Sequence, residues 1–211
     1  MRKMKTGSIQ SLEPLYGSGG WLWGSDYTSG DLYEAEELYR DGHRISRNRL
    51  IFADPRGRIV EPLKASRGQY FGRPLYADGK IILLLADFPD DAVRLFSYDD
   101  GKEELTEIVR VPHSEFKDCY NLMPEKEPLM LSRQSHDRFE IIWPEKAGFA
   151  ISPQETFCFR DGEKLYFSRW YEDPDYREEV VVRQLPDGRI TEVFPGAINF
   201  MENGEMWVLE P

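Results

Sequence analysis

The sequence predicts an all-β protein built from a repeated four-stranded unit, and three observations carry that prediction. First, Asp-Gly or Asn-Gly dipeptides stand between β-rich runs at Gly79 ("LYADGKIILLL"), Gly162 ("FCFRDGEKLYFS") and Gly204 ("INFMENGEMWVL"). Both residue types tolerate positive φ, which two-residue hairpin loops require. Second, these turns are regularly spaced: 42 residues separate Gly162 from Gly204, and 83, close to twice that, separate Gly79 from Gly162. Third, a second kind of hairpin follows in "RLIFADPRGRIVEP" (49–62), "RLFSYDDGKEELTEIVRV" (94–111), "RFEIIWPEKAGFAI" (138–151) and "VVVRQLPDGRITEVF" (180–194).

Each unit therefore reads as hairpin, polar loop, hairpin. The first begins at "WLWGSDYTSGDLYEA", turning near Gly30, and ends with residues 49–62. Its segment "SGDLYEAEELYR" (29–40) supports two readings. Repeat register asks for a strand, with Tyr33, Ala35 and Tyr39 on one face. Asp31 and Glu34 at capping-box spacing, with Leu32, Ala35, Leu38 and Tyr39 at helical intervals, fit a short helix over 31–39 instead. Register favours the strand. The second unit contains "IILLLA" (81–86), the longest apolar run, which suits a buried strand. A weaker copy, "YNLMPEKEPLMLS" (120–132), turns near Lys126 and opens the third unit; Gly162 opens the fourth.

The last unit, "AINFMENGEMWVLEP", holds two strands where the pattern asks for four. The N-terminus supplies a remainder: "RKMK", a Thr6-Gly7 turn, then "SIQSLEPL". There "SLEPLYGSGGW" (11–21) aligns with "IVEPLKASRGQY" (59–70), the exit from a fourth strand. Pairing residues 1–15 with 197–211 would complete one unit and hide sheet edges that otherwise invite association. Four strands per ~40–45 residues is the period of a β-propeller blade. The reading is a five-bladed β-propeller of four-stranded antiparallel blades, closed through its termini, forming a single domain over 1–211. A sandwich could use the same hairpins but does not usually repeat its own sequence, and six blades would leave only about 35 residues each.

In repeat period and turn placement the whole chain resembles the five-bladed β-propeller class, which includes small sugar-binding lectins and several glycoside hydrolase families. No motif of a particular family accompanies that resemblance, so it implies no functional residue, and fold alone does not license function.

Composition narrows the classes of function. Hydrophobic residues make up 40% and aromatics 13%, enough to pack a core without disulfide or metal staples. A net charge of −11 and a pI near 4.9 argue against nucleic acid or anionic membrane as partner, since both need a basic face. There is no secretory signal and no apolar run of membrane-spanning length, so a cytoplasmic address follows unless a leader was removed. Cys119 and Cys158 lack metal-ligand spacing and read as reduced and buried.

Motifs of catalysis are missing. His43, His113 and His136 fall in polar loops far apart in sequence, which reads as surface histidine and not as a metal or catalytic cluster. "GSGG" (17–20) has no following helix and no lysine, so it is a connection and not a phosphate cradle. The acidic loops "ADFPDDAV" (86–93) and "YEDPDYRE" (171–178) are ordinary turn chemistry and lack calcium-loop spacing. Catalytic carboxylates would come from inner strands, where Asp26, Asp118 and Glu155 qualify. No cofactor or metal is implied.

Binding is the better expectation. Trp21, Trp23, Tyr70, Phe71, Tyr120, Phe157 and Phe200 recur at matching points of successive units, mostly as core. Polar residues interleave with them: Asp26, Arg73, Asn121, Arg160 and Asn199. The ligand-binding candidates are accordingly Trp21, Trp23, Asp26, Tyr70, Arg73, Asn121, Arg160 and Asn199, a ring of polar groups beside aromatic faces. The face that collects loops 16–20, 66–70, 87–92, 113–118, 152–155, 171–178 and 195–197 carries longer and more varied chain than the glycine-turn face. The function expected is a non-catalytic module presenting that face to a protein, peptide or carbohydrate. A carbohydrate-active enzyme using acidic residues at a channel mouth and a scaffold subunit are the alternatives.

Overall fold

The glycine turns that punctuate the sequence are hairpins. In a computed structural model, which describes residues 3–210 except 44, 46 and 174, Gly79, Gly162 and Gly204 sit at φ of 75°, 57° and 90°, each between paired antiparallel strands. Asp78 also takes positive φ, as the tight hairpin demands of both central residues. The fold is all-β, with several four-stranded antiparallel sheets, one α-helix and a single 3-10 turn among the described residues. Contacts divide the chain into two units, Met1–Pro124 and Glu125–Pro211.

Two sheets make up most of the first unit. β1 (Glu13–Pro14), β2 (Leu22–Ser25), β3 (Leu50–Ala53) and β4 (Ile59–Val60) pair antiparallel in chain order. In the next sheet β5 (Gln69–Phe71) and β6 (Leu75–Ala77) both pair with β7 (Lys80–Asp87), followed by β8 (Ala92–Asp99) and β9 (Glu104–Pro112). β5 and β6 are one edge strand interrupted at residues 72–74, where Pro74 has no N–H for the ladder. β7 is buried, as its apolar run predicts, and on both faces. Ile81, Leu83 and Leu85 join Trp23, Leu50, Phe52 and Phe71 in a core between the two sheets, while Ile82, Leu84 and Ala86 are buried on the other face. Each such side chain contributes about 1.5–3 kcal/mol by leaving water.

The segment expected as a strand at residues 31–39 is helix α1 (Leu32–Arg40). Local chemistry overrides repeat register here. Asp31 is an N-cap whose side chain accepts from the Tyr33 and Glu34 amides at 2.9 and 3.1 Å, and Leu, Glu, Ala and Arg between are strong helix formers. Gly42 at φ 70° ends the helix. Its N–H donates to Tyr39 O at 3.0 Å and that of His43 to Leu38 O at 2.9 Å, the two bonds of a Schellman cap.

Within the second unit the sheets repeat the plan. β10 (Leu122–Glu125), which runs across the boundary between units, is followed by β11 (Met130–Gln134), β12 (Arg138–Trp143) and β13 (Ala147–Ala150). Then come β14 (Glu155–Asp161), β15 (Lys164–Tyr171), β16 (Arg177–Gln184) and β17 (Arg189–Pro195). Met130, Phe139, Ile141, Phe149, Leu165, Phe167 and Val181 form the core between them. The last pair, β18 (Ala197–Phe200) and β19 (Met206–Leu209), is a two-stranded sheet, with Trp207 and Leu209 exposed. Of residues 1–15, expected to pair with residues 197–211, 3–12 are in turns and irregular chain and Glu13–Pro14 pair with β2 instead; residues 1, 2 and 211 of that expectation lie outside the described ones.

One device recurs in both units. The Asn48 carboxamide accepts from the Phe71 amide at 2.6 Å, and that of Gln134 accepts from the Phe157 amide at 2.8 Å, each across 23 residues. Asn48 Nδ2 donates to Asp26 O at 2.8 Å and Gln134 Nε2 to Glu155 O at 2.7 Å. A side-chain amide, buried at Asn48 and half-buried at Gln134, thus satisfies the first strand of the following sheet at the same register in each half of the chain. Buried polar atoms need such partners.

Candidate functional site

Three of the loops expected to carry function converge in the first unit around α1. The Phe88 amide donates to Gly68 O at 3.2 Å and the His113 amide to Asp91 O at 3.0 Å, tying loops 66–70, 87–92 and 113–118 together. Aromatic rings fill the space between. Phe88 stacks on Tyr39 at 5.1 Å, tilts against Tyr70 at 5.7 Å and meets His113 edge-on at 5.5 Å; Phe116 also meets His113 edge-on, at 5.2 Å. Beside them Tyr39, Gly42, His43, Ile45, Arg67 and Tyr70 help to line an open cleft of about 60 Å³. That holds about two waters and is far below the ~300–1,000 Å³ of ordinary organic-ligand pockets.

His113 differs from the surface histidine expected. Its side chain is 20% exposed, and its Nε2 is buried with no hydrogen-bond partner among the described residues. That atom lies 3.6 Å from Glu36 Oε2. Glu36 is itself buried on α1: Oε2 accepts from the Cys119 amide at 2.8 Å, and Oε1 accepts from Arg40 Nη2 at 2.6 Å. The Glu36 carboxylate, His113 and the buried Cys119 thiol each offer a ligand atom, and the three atoms lie within 4.8 Å of one another. Behind the histidine, Asp91 Oδ1 stands 4.0 Å from Nδ1 and accepts from the Ser114 amide at 3.0 Å. Sequence reading passed over this trio, although one signal was there. Once 32–40 is helical, Glu36 shares the buried stripe with Leu32 and Ala35, an unusual place for a carboxylate.

At the outer surface of the same region are tyrosines. Tyr33 and Tyr120 meet edge-to-face at 5.4 Å, and Tyr27, Tyr39 and Tyr120 are exposed. The charge of Glu37, then partial burial and a hydrogen bond to Glu37, raise the Tyr33 phenol, with Asp118 adding to the effect. Glu37 and Asp118 thus place negative charge near this ring, partly offset by Arg40.

The binding residues expected from sequence fall in several settings. Trp23 is core, and Trp21 packs against the same core half-buried. Asp26 binds inward: Oδ1 accepts from the Arg49 amide at 2.7 Å and Asn48 Nδ2 at 3.2 Å, and Oδ2 from Ser8 Oγ at 3.0 Å. Tyr70 is buried at the cleft, and burial raises its phenol. Arg73 is exposed, with its backbone against Gly30. Asn121 is exposed at φ 47° beside Tyr120. In the second unit Arg160 pairs with Glu145 and donates to Gly162 O at 2.7 Å, and Asn199 is exposed on β18. Of these residues, Tyr70 borders the His113 cluster.

The carboxylates considered for catalysis are also placed. Glu155 is sealed in the second unit, accepting from Arg183 Nε at 2.9 Å and Nη2 at 3.1 Å. Asp118 accepts from the Tyr120 amide at 3.1 Å.

Comparison with known proteins adds little. No family model matches the chain, and no curated protein does. Among solved structures, it is similar to that of a proposed 6-phosphogluconolactonase from Bacteroides uniformis, at 11% identity and a TM-score of 0.42. The similarity covers 95% of this chain and 62% of that one. Likeness of that degree carries no argument about function. No described helix is long and apolar enough to cross a membrane.

Proposed function

We propose that the protein is a non-catalytic binding module, that its successive four-stranded sheets are blades of one propeller closed through the terminal segments, and that its docking face is the loop surface around α1. The observation that carries the docking reading is the pairing of half-buried Tyr33 with exposed Tyr120 beside Glu37 and Asp118. Tyrosines bring contact area at low conformational cost and are enriched where proteins meet. Negative charge beside open ring faces suits a cationic partner, through Coulomb attraction and cation–π contact. The partner is thus an Arg- or Lys-bearing protein or peptide segment. The cleft of about 60 Å³ beside α1 is too small to enclose a sugar.

A labelled nona-arginine peptide is the probe. Net charge alone would attract it weakly and salt would abolish that attraction, so the test compares variants at physiological salt. Tyr33→Ser and Tyr120→Ser together should weaken binding at least tenfold, whereas Tyr176→Ser, more exposed but in the second unit, should not. Equal affinity in the two variants would overturn the assignment of this face.

A further inference from the structure

We propose that Glu36, His113 and Cys119 form a binding site for a zinc-class divalent cation that fastens helix α1 to the chain segment 113–119. The three residues supply one carboxylate oxygen, one imidazole nitrogen and one sulfur, a donor set that suits a borderline ion and not magnesium or calcium, which take oxygen.

Geometry supports the assignment. In a tetrahedral zinc site, ligand atoms ~2.0–2.3 Å from the ion stand roughly 3.3–3.7 Å apart. Glu36 Oε2 and His113 Nε2 are 3.6 Å apart, and all three ligand atoms fall within 4.8 Å. Side-chain adjustment closes the remainder. The 3.6 Å separation is too long for a hydrogen bond, so the buried Nε2 is unsatisfied in the metal-free arrangement. An unpaired buried polar atom costs about 1–3 kcal/mol; a cation accepting its lone pair removes that cost.

Charge and second-shell contacts fit as well. A divalent ion, a Cys119 thiolate and the Glu36 carboxylate sum to neutrality. Arg40, mostly exposed, keeps its hold on the other Glu36 oxygen. On binding, the thiol proton leaves to solvent and the S–metal bond replaces S–H. The Phe88 and Phe116 rings pack edge-on with the imidazole and hold its orientation, and Asp91 Oδ1, 4.0 Å from Nδ1, is too far for a hydrogen bond but adds negative charge on that side. Three protein ligands leave a fourth position for water. The burial of Glu36 and Cys119 makes the site a clamp on α1, distinct in kind from the tyrosine surface outside it.

The test uses the full chain without a histidine tag, stripped by chelator and titrated with Co²⁺. A thiolate-to-cobalt charge-transfer band should saturate at one ion per chain and be displaced by Zn²⁺. Zn²⁺ but not Mg²⁺ should raise the melting temperature, since a ligand of the native state stabilises it. Cys119→Ser should abolish the band, and His113→Gln should weaken Zn²⁺ binding at least tenfold. Cys158→Ser, which leaves Cys119 as the sole cysteine, should keep the band and decides the matter if Cys119→Ser does not fold. No band in Cys158→Ser, or a band that persists in Cys119→Ser, would overturn the proposal.

Discussion

Replacing Glu155 by glutamine should be among the most damaging conservative substitutions in the chain. Its side chain is fully buried and receives two hydrogen bonds from Arg183, at 2.9 and 3.1 Å, with Arg169 Nη1 3.8 Å away. Arg183 is itself buried. Its Nη1 donates to Gly188 O at 2.6 Å, and its guanidinium lies 5.7 and 5.8 Å from the Phe149 and Phe167 ring centres. Glutamine keeps the volume and removes the charge, leaving a buried guanidinium opposite a neutral amide that can accept only one of its bonds well. Breaking a buried pair in this way costs about 3–5 kcal/mol. At roughly 2–4 °C per kcal/mol for a chain of this size, the melting temperature should fall by about 10 °C. Glu155→Leu with Arg183→Met removes both charges, and such apolar replacements are often neutral or stabilising. Losing the bond to Gly188 O costs the double variant about 1 kcal/mol, so it should melt well above the single one. Urea unfolding with a two-state fit, or scanning fluorimetry, measures both. A single variant within about 1 kcal/mol of the parent, or a double variant as unstable as the single, would refute the reasoning that the pair matters through its unmade state.

Two further outcomes follow from the second unit. Gly188 has φ +69°, and a β-carbon there would fall 2.0 Å from Phe149 Cγ, inside the core; Gly188→Ala should cost more than 2 kcal/mol in urea unfolding, well beyond the ~1 kcal/mol of a typical point mutation. Glu125 turns its carboxyl inward onto Ser132 Oγ at 3.3 Å, and burial pushes that carboxyl up to about 8. Its folded form holds the proton where the unfolded form, near 4.5, has released it, so stability from this group is complete below about pH 4.5 and is lost as pH rises through 8. Glu125→Gln should therefore gain on the parent between pH 5 and pH 8, by a few kcal/mol at most, in urea midpoints taken across that range; a gap that is flat with pH would remove the carboxyl as cause.

The residue chemistry of turns and strands was legible because it is local. Gly79, Gly162 and Gly204, and Asp78 before the first of them, adopt positive φ for reasons contained in two residues. The run 81–86 is apolar on both faces of its strand because both faces are covered. The same logic made residues 31–39 ambiguous. Repeat register is an argument from other parts of the chain, whereas the Asp31 cap and the Gly42 stop act within one turn of helix, and the local interactions prevailed. Aromatics at matching positions were legible as a pattern but not in role: Trp23 and Phe71 went to the core, while Tyr120 stayed outside to meet Tyr33.

What the sequence could not decide is which distant residues meet. His113 and Cys119 are separated from Glu36 by most of two sheets of chain, and nothing in their own neighbourhoods specifies the third partner. Their approach depends on α1 docking through Leu32 near Gly72 and Leu84, and on His113 being held by the Asp91 carbonyl. Gln134 and Asn48 make the same point from the other side. Each follows a Ser-Arg pair in the sequence, yet the bonds to Phe157 and Phe71 exist only because successive sheets pack with one register. Backbone conformation is set within a few residues by steric and hydrogen-bonding preference. Side-chain convergence is set by how whole sheets bury their apolar faces, and only the packed structure fixes it.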